Sequence, residues 1–369
     1  MNNINYETLL DREPIQISLG KALGYIKGKR ILVTGAGGSI GRELCRQIVT
    51  GNASRLYMLG HGENSIYEAR QNILKEEERK MPDTEIISVI GEIQDRDYMM
   101  FLMKRLKADV VFHTAAHKHV PMTEANPVEA IKNNVFGTKN MVDACKEADV
   151  EKFVLISTDK AVDPICIYGV SKHIAEEIVL KEGKENHKFL VLRFGNVLGS
   201  KGSIVPLLID QIQRGGPVTI TDEHVTRFFM TIPEAVSLVL KTGDIGVGGE
   251  LYLLSMGKSI SITFLAERMM DYLGSKVDIK YIGLRDGDKL HEHLWSEKYE
   301  SVSKTRYRGI LRVERLTKTE DLDILLERLR PVCFFNSVFS EKYRKRNELK
   351  DILVNRFPTL RTLDHEPDY

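Results

Sequence analysis

Short, nearly continuous apolar runs alternate along the chain with longer stretches whose apolar residues recur every three to four positions. The runs RILVTG (30–35), RLYMLG (55–60), IISVIG (86–91), DVVFHT (109–114), KFVLIS (152–157) and FLVLRFG (189–195) are rich in branched and aromatic side chains. Runs of this kind form strands covered on both faces. Between them, residues 39–50, 63–80 and 127–147 repeat their apolar positions at helical spacing. Strand and helix in repeated alternation predict an α/β fold, a doubly wound parallel Rossmann sheet over residues 28–195. After residue 196 the rhythm loosens, and PVTI (217–220), ELYLL (250–254) and KVDIKYI (276–282) mix with helices. A smaller C-terminal substrate-binding lobe over 196–300, interleaved with the sheet, is expected there. Residues 1–27 read as an N-terminal extension packed on the domain, and 301–369 as a charged, partly helical C-terminal extension.

At 369 residues the chain exceeds what one compact core usually holds. Its 53 basic and 52 acidic residues nearly cancel, which removes the electrostatic reason to expect nucleic acid or an anionic membrane as partner. The four cysteines, Cys45, Cys145, Cys166 and Cys333, lie far apart, so neither a metal site nor a disulfide framework is expected. No apolar run has a spanning length of roughly 20 residues, and the first residues lack a signal-peptide layout. These features predict a cytoplasmic protein.

TGAGGSIG (34–41) follows the first strand and opens a helix. Gly35, Gly38 and Gly41 have the spacing that allows a tight turn, close approach to a pyrophosphate and tight helix packing, with Gly37, Ser39 and Ile40 between them. In this strand, loop and helix context the motif predicts dinucleotide binding. The second strand ends in LGHGENS (59–65), with Gly60 where a carboxylate would hold the adenosine ribose. His61, Glu63 and Asn64 could reach that ribose or simply cap the next helix. The cofactor is therefore NAD or NADP, with the balance toward NAD.

STDKAVDPICIYGVSK (157–172) concentrates reactive side chains at the end of the fifth strand. Tyr168 and Lys172 are four apart and share a helix face. An ammonium beside a phenol lowers its pKa, so Tyr168 can take a proton from a sugar hydroxyl as hydride leaves. Alcohol oxidation does not need Asp159 and Lys160. An acid and a base there suit loss of water next to a newly formed ketone, with Lys160 as base and Asp159 as acid; the alternative is a structural ion pair.

Together with FHTAAHKHVP, NNVFGTKNM, LRFGNVLGSKGSIVP, TRFFMTIPEA and GLRDGDKLHEHL, these motifs resemble the polysaccharide-biosynthesis family of UDP-N-acetylglucosamine 4,6-dehydratases, in the extended short-chain dehydrogenase/reductase superfamily. The resemblance runs over about residues 8–296. It implies Thr158 as hydroxyl donor at the sugar 4-position, Asp159 and Lys160 as acid and base, and Tyr168 with Lys172 as the oxidation pair. It extends the cofactor site to Glu92, Ile93, Ala115, Ala116, Lys118 and Asn133, and gives Asn134 the task of holding the active-site helix. Lys118 and His119 would lie beside the sugar. Asn196, Ser200, Gly202, Ser203, Pro206 and Thr219 would wrap the nucleotide, Arg227 and Arg285 would pair with its diphosphate, and Glu292 would hold its ribose or lie on a helix surface. The implied substrate is UDP-N-acetylglucosamine or a related UDP-hexose, the cofactor is tightly bound and recycled, and the assembly is at least a homodimer. Many long members carry transmembrane helices ahead of this domain and methionine at the tyrosine position. This sequence shows neither and resembles the tyrosine-bearing soluble branch. LGHGENS and Asp286, where proline is usual, depart from the family pattern.

Three other readings use the same residues. A UDP-sugar 4-epimerase needs only Thr158, Tyr168 and Lys172. An arrested dehydratase would release a 5,6-ene sugar. A non-catalytic nucleotide-sugar sensor would need none of the reactive groups, all of which are retained.

Overall fold

The computed structural model describes residues 6–10, 12–13, 15, 23–77, 83–183, 187–316 and 321–360. Six strands appear where the apolar runs predict them: β1 (Arg30–Thr34), β2 (Arg55–Gly60), β3 (Glu85–Ile90), β4 (Val110–His113), β5 (Lys152–Thr158) and β6 (Lys188–Phe194). Their connections are α1 (Ser39–Val49), α2 (Glu63–Glu77), α3 (Arg96–Leu106), α4 (Val120–Ala125), α5 (Pro127–Ile131), α6 (Gly137–Glu147) and α7 (Ile167–Glu182). The later elements are β7 (Asn196–Leu198), α8 (Ile204–Gln213), β8 (Val218–Ile220), β9 (Thr226–Arg227), β10 (Phe229–Thr231), α9 (Ile232–Ile245), β11 (Glu250–Leu254), β12 (Ile260–Ser261), α10 (Ile262–Leu273), β13 (Ile279–Tyr281), β14 (Glu300–Lys304), β15 (Ile310–Arg315), α11 (Leu322–Cys333) and α12 (Arg346–Val354).

The main sheet has the order β14-β15-β11-β6-β5-β4-β1-β2-β3. From β3 to β11 every pairing is parallel, and β15 and β14 join antiparallel at the edge. This is the doubly wound Rossmann order, with its crevice at the carboxyl ends of β1 and β4 where the strand order reverses. The strands are apolar on both sides because helices cover both faces: Leu32, Val111, Val154 and Leu190 are fully buried.

Three boundaries differ from the sequence reading. ELYLL, expected in the lobe, is a parallel strand of the main sheet beside β6. The preceding helix α9 packs against α1, a long-range contact that local composition does not encode. The stretch 127–147 is not one helix: α5 and α6 are separated by a π-helical turn, Lys132–Phe136. Residues 300–315, expected in the extension, complete the sheet through β14 and β15. The lobe has its own core, in which Leu208, Leu265, Ala266 and Val218 of α8, α10 and β8 meet Leu9 and Leu10 of the N-terminal extension. No helix among the described residues is long and apolar enough to cross a membrane.

Candidate active site

The phosphate loop leaves β1 at Gly35, whose φ of +65° favours glycine and whose added Cβ would lie 2.8 Å from the Ala115 nitrogen. A Cβ on Gly41 would fall 2.3 Å from the Gly35 carbonyl oxygen, so the first turn of α1 can close only on glycine. Gly38 caps α1 with no side-chain hydrogen bond. The first amides of α1, around Ser39 and Ile40, are thus left to an anion. The cradle fits the pyrophosphate of NAD(P). Gly37 sits against Ser65 at the start of α2, which brings His61, Glu63 and Asn64, all exposed, to the adenosine side of the loop. The other cofactor candidates lie along the β3 and β4 ends: Glu92 is exposed, Ile93 is buried, and Ala115 and Ala116 are half-buried.

The π turn explains how Asn134 enters the site. One extra residue per turn re-aims side chains that an α-helix would point elsewhere. Asn134 Oδ1 accepts from the His117 N–H at 2.8 Å and from Asn133 Nδ2 at 3.0 Å. Its Nδ2 donates to the His117 carbonyl and to Ser171 Oγ, both at 2.9 Å. One amide therefore ties the loop after β4 to α7.

The five catalytic candidates converge at the end of β5 and the first turns of α7. Thr158 Oγ1 donates to Asp159 Oδ1 at 2.9 Å. Lys160 Nζ lies 3.2 Å from both Asp159 Oδ1 and Glu292 Oε1. Asp159 is fully buried, and its Oδ2 has no hydrogen-bond partner among the described residues. Burial raises the Asp159 pKa, against the pull of Lys160. Burial also acts to lower Lys160, but Asp159 and Glu292 outweigh it and hold the ammonium above its ordinary value. For Glu292 burial works upward, while Lys160, Lys289 and Arg227 bring the carboxylate below its usual range. Charge is thus concentrated in one small buried cluster.

Tyr168 departs from the expectation of a lowered phenol. Burial pushes it up to about 12, and the cation acting against that rise is Lys160, helped by a hydrogen bond from Thr158. Lys172 is buried and lowered to about 8 by desolvation, with Glu176 opposing.

The segment 196–206 folds back over the site. Lys118 Nζ donates to the Lys201 carbonyl at 3.0 Å, and the Lys201 N–H donates to Ser39 Oγ at 3.0 Å. Gly202, at φ +68°, passes so close to His119 that a Cβ would sit 2.5 Å from the imidazole Cε1. The Ser203 hydroxyl is buried without a hydrogen-bond partner among the described residues, Ser200 is buried, and Asn196 and Pro206 are half-buried. Lys118, His119 and this segment therefore come together beside the phosphate loop.

Four substrate candidates are engaged differently from the sequence expectation. Arg227 gives hydrogen bonds to the carbonyls of Thr226, Leu290 and Lys289, and so fastens the 283–294 loop rather than presenting an open fork. Arg285 is exposed and pairs with Asp288. Thr219 exchanges two hydrogen bonds with Gln211 of α8. Glu292 is on no helix surface: its Oε1 lies 3.2 Å from Lys160, while its buried Oε2, 3.8 Å from Lys289, has no hydrogen-bond partner among the described residues. Two buried groups escaped the sequence reading. Glu124 accepts from the first amide of α7, Ile167 N–H, at 2.7 Å. Glu176 accepts from Ser157 Oγ at 2.6 Å and pairs with Arg193 at 2.6 Å. The Glu176–Ser157 contact joins residues 19 apart and could be sought only once β5 and α7 are known to touch.

A Rossmann crevice with a glycine cradle, a tyrosine and lysine on one helix, and a buried acid–lysine pair defines the class. The chain belongs to the polysaccharide biosynthesis protein family, which matches residues 31–315. It is 43% identical over 337 residues to the capsular polysaccharide biosynthesis protein CapD of Staphylococcus aureus, covering 89% of this chain and 55% of that protein. The chain spans about half the length of the first curated relatives it matches. It is 34% identical over 272 residues to a UDP-N-acetylglucosamine 4,6-dehydratase (inverting) of Campylobacter jejuni, covering 72% of this chain and 77% of the relative. A UDP-glucose 4-epimerase of Rickettsia canadensis is 35% identical over 279 residues, covering 73% and 78%. The match reaches the end of β15, beyond the limit near 296 given by the motifs.

Proposed function

We propose that the chain is an NAD(P)-dependent UDP-N-acetylglucosamine 4,6-dehydratase that makes a UDP-4-keto-6-deoxy amino sugar for surface polysaccharide, acting in the cytoplasm. The observation that carries this reading is the buried cluster of Asp159, Lys160 and Glu292 next to Tyr168. Bound NAD(P)+ would accept hydride from C4 and return it to C6. Thr158 and Tyr168 hold the 4-hydroxyl, and Tyr168 takes its proton as the ketone forms, a step that requires the phenolate, which the neighbouring Lys160 cation favours against burial.

The ketone acidifies C5–H, and loss of water then needs a neutral base and a protonated acid. One internal proton shift supplies both. Passing a proton from the Lys160 ammonium to Asp159 over 3.2 Å leaves a neutral amine and a neutral carboxyl group. Burial favours that uncharged pair, and the attraction of Glu292 for the ammonium opposes it. Lys160 takes the C5 proton, the C6–O bond breaks as Asp159 protonates the leaving hydroxyl, and the C5–C6 double bond forms. The pair returns to ammonium and carboxylate, and Lys160 can give its proton to C5 as hydride reaches C6.

Incubation with UDP-N-acetylglucosamine in D2O, followed by proton NMR, tests the reading. A new C6 methyl signal beside a hydrated 4-keto carbon is expected. The epimerase reading, favoured by the comparable identity to the Rickettsia enzyme, predicts the galacto sugar instead. Vinyl protons would mark an arrested elimination, and unchanged sugar would overturn the substrate assignment.

A further inference from the structure

Seven residues, Ala161 to Ile167, separate Lys160 from Tyr168, so the placement of the elimination pair relative to the phenol depends on how this short loop is held. Within it Asp163 adopts φ +39°, an uncommon conformation for a residue with a side chain. Val162 is tied on both sides, its N–H donating to the Asp159 carbonyl at 3.0 Å and its carbonyl accepting from Lys289 Nζ at 2.7 Å, and the rest of the loop is held with the help of residues 346–360, which lie beyond the end of the family match at 315.

Three contacts do this. Thr359 Oγ1 donates to the Pro164 carbonyl at 2.9 Å. His173 Nδ1 meets the Ala161 carbonyl at 2.8 Å, and Phe357 packs edge-on against that imidazole with centroids 5.5 Å apart. Arg346 of α12 donates to the Glu124 carbonyl at 2.9 Å, and the Glu124 side chain in turn caps Ile167 N–H. Arg356 anchors the segment by a pair of 3.0 Å bonds to Glu177 of α7. Leu349, Leu353, Phe357 and Leu360 are buried, so the segment is packed into the protein rather than resting on its surface.

We propose that residues 346–360 form a brace that sets the spacing between Lys160 and Tyr168, with Thr359 and Phe357 as positioning residues for the reaction. This rests on the proposed dehydratase chemistry. A geometric misplacement of the reacting groups lowers turnover without weakening substrate binding.

The test uses the full chain carrying Thr359→Val, Thr359→Ser or Phe357→Leu, with kcat, KM, melting temperature and hydrogen exchange of residues 161–168 measured together. For Thr359→Val and Phe357→Leu the expected result is kcat lowered roughly 10- to 100-fold with KM within about twofold. Exchange at 161–168 should quicken about five- to tenfold, and Thr359→Ser should restore both. Unchanged kcat per folded molecule, or unchanged exchange, overturns the brace. If the unaltered chain leaves UDP-N-acetylglucosamine untouched, the dehydratase reading fails, and the exchange result still decides whether the segment holds the loop.

Discussion

The Lys160 ammonium lies 3.2 Å from the carboxylate of Glu292, a residue expected from its motif to meet the nucleotide ribose. The two assignments predict different kinetics. If Glu292 serves Lys160, Glu292→Gln removes one of two charges that keep the ammonium in place. Dehydration should then fall by roughly 100-fold, with UDP affinity by calorimetry changed less than about threefold. A ribose contact would show the reverse: weak UDP binding with turnover nearly kept at saturation.

The proposed reaction should have an alkaline limit set by Lys172. Burial brings its pKa down to about 8, so the cation is present below that value and is lost as pH rises through it. If the ammonium is needed to orient cofactor and phenol, kcat/KM should fall above about pH 8. Lys172→Arg keeps its charge throughout and should remove this alkaline limb, although at lower overall rate. An unchanged limb in that variant would assign the titration to another group.

Much of this arrangement was legible in the sequence, and the illegible part has a common physical cause. The six apolar runs became β1 to β6 because a strand buried on both faces writes its environment into every position. The glycine loop and the shared helix of Tyr168 and Lys172 were legible because each is local, whereas Lys160 as the cation acting on the phenol was not. Glu292 beside Lys160 was not, since no spacing rule joins a loop after β13 to the end of β5. The π turn at Lys132–Phe136 was hidden because one extra residue scarcely disturbs the apolar period of a 21-residue stretch. Arg346 and Thr359 look like surface residues until α12 is docked.

A buried ion network fastens the sheet edge to α7. Arg193 is fully buried and pairs with Glu176 of α7 at 2.6 Å and with Glu300 of β14 at 2.8 Å, while Arg315 of β15 also pairs with Glu176. Removing the central cation leaves two buried carboxylates facing each other. Arg193→Met should cost about 3–5 kcal/mol of stability, read by urea unfolding. A loss below about 1 kcal/mol would mean that the remaining Arg315 satisfies both acids.

Glu124 should make stability fall with rising pH in a window where most carboxylates do the opposite. Its side chain is buried, Oε1 accepts from Ile167 N–H, and Oε2 has no partner among the described residues, so Oε2 is the natural seat of a proton. Burial outweighs the Ile167 hydrogen bond and the nearby Arg346 and raises the pKa from 4.5 to about 7. The folded state therefore holds a proton that the unfolded chain releases at lower pH. The contribution is present in full below about 4.5 and is lost as pH rises through about 7. A shift of this size corresponds to a few kcal/mol, on the order of 3. Glu124→Gln keeps an oxygen for Ile167 and cannot ionise. The stability difference between the original chain and this variant should therefore slope downward between about pH 4.5 and pH 7 and level off above. Urea unfolding across that range checks it, and parallel curves would show that Glu124 ionises in the folded state as readily as in the unfolded chain.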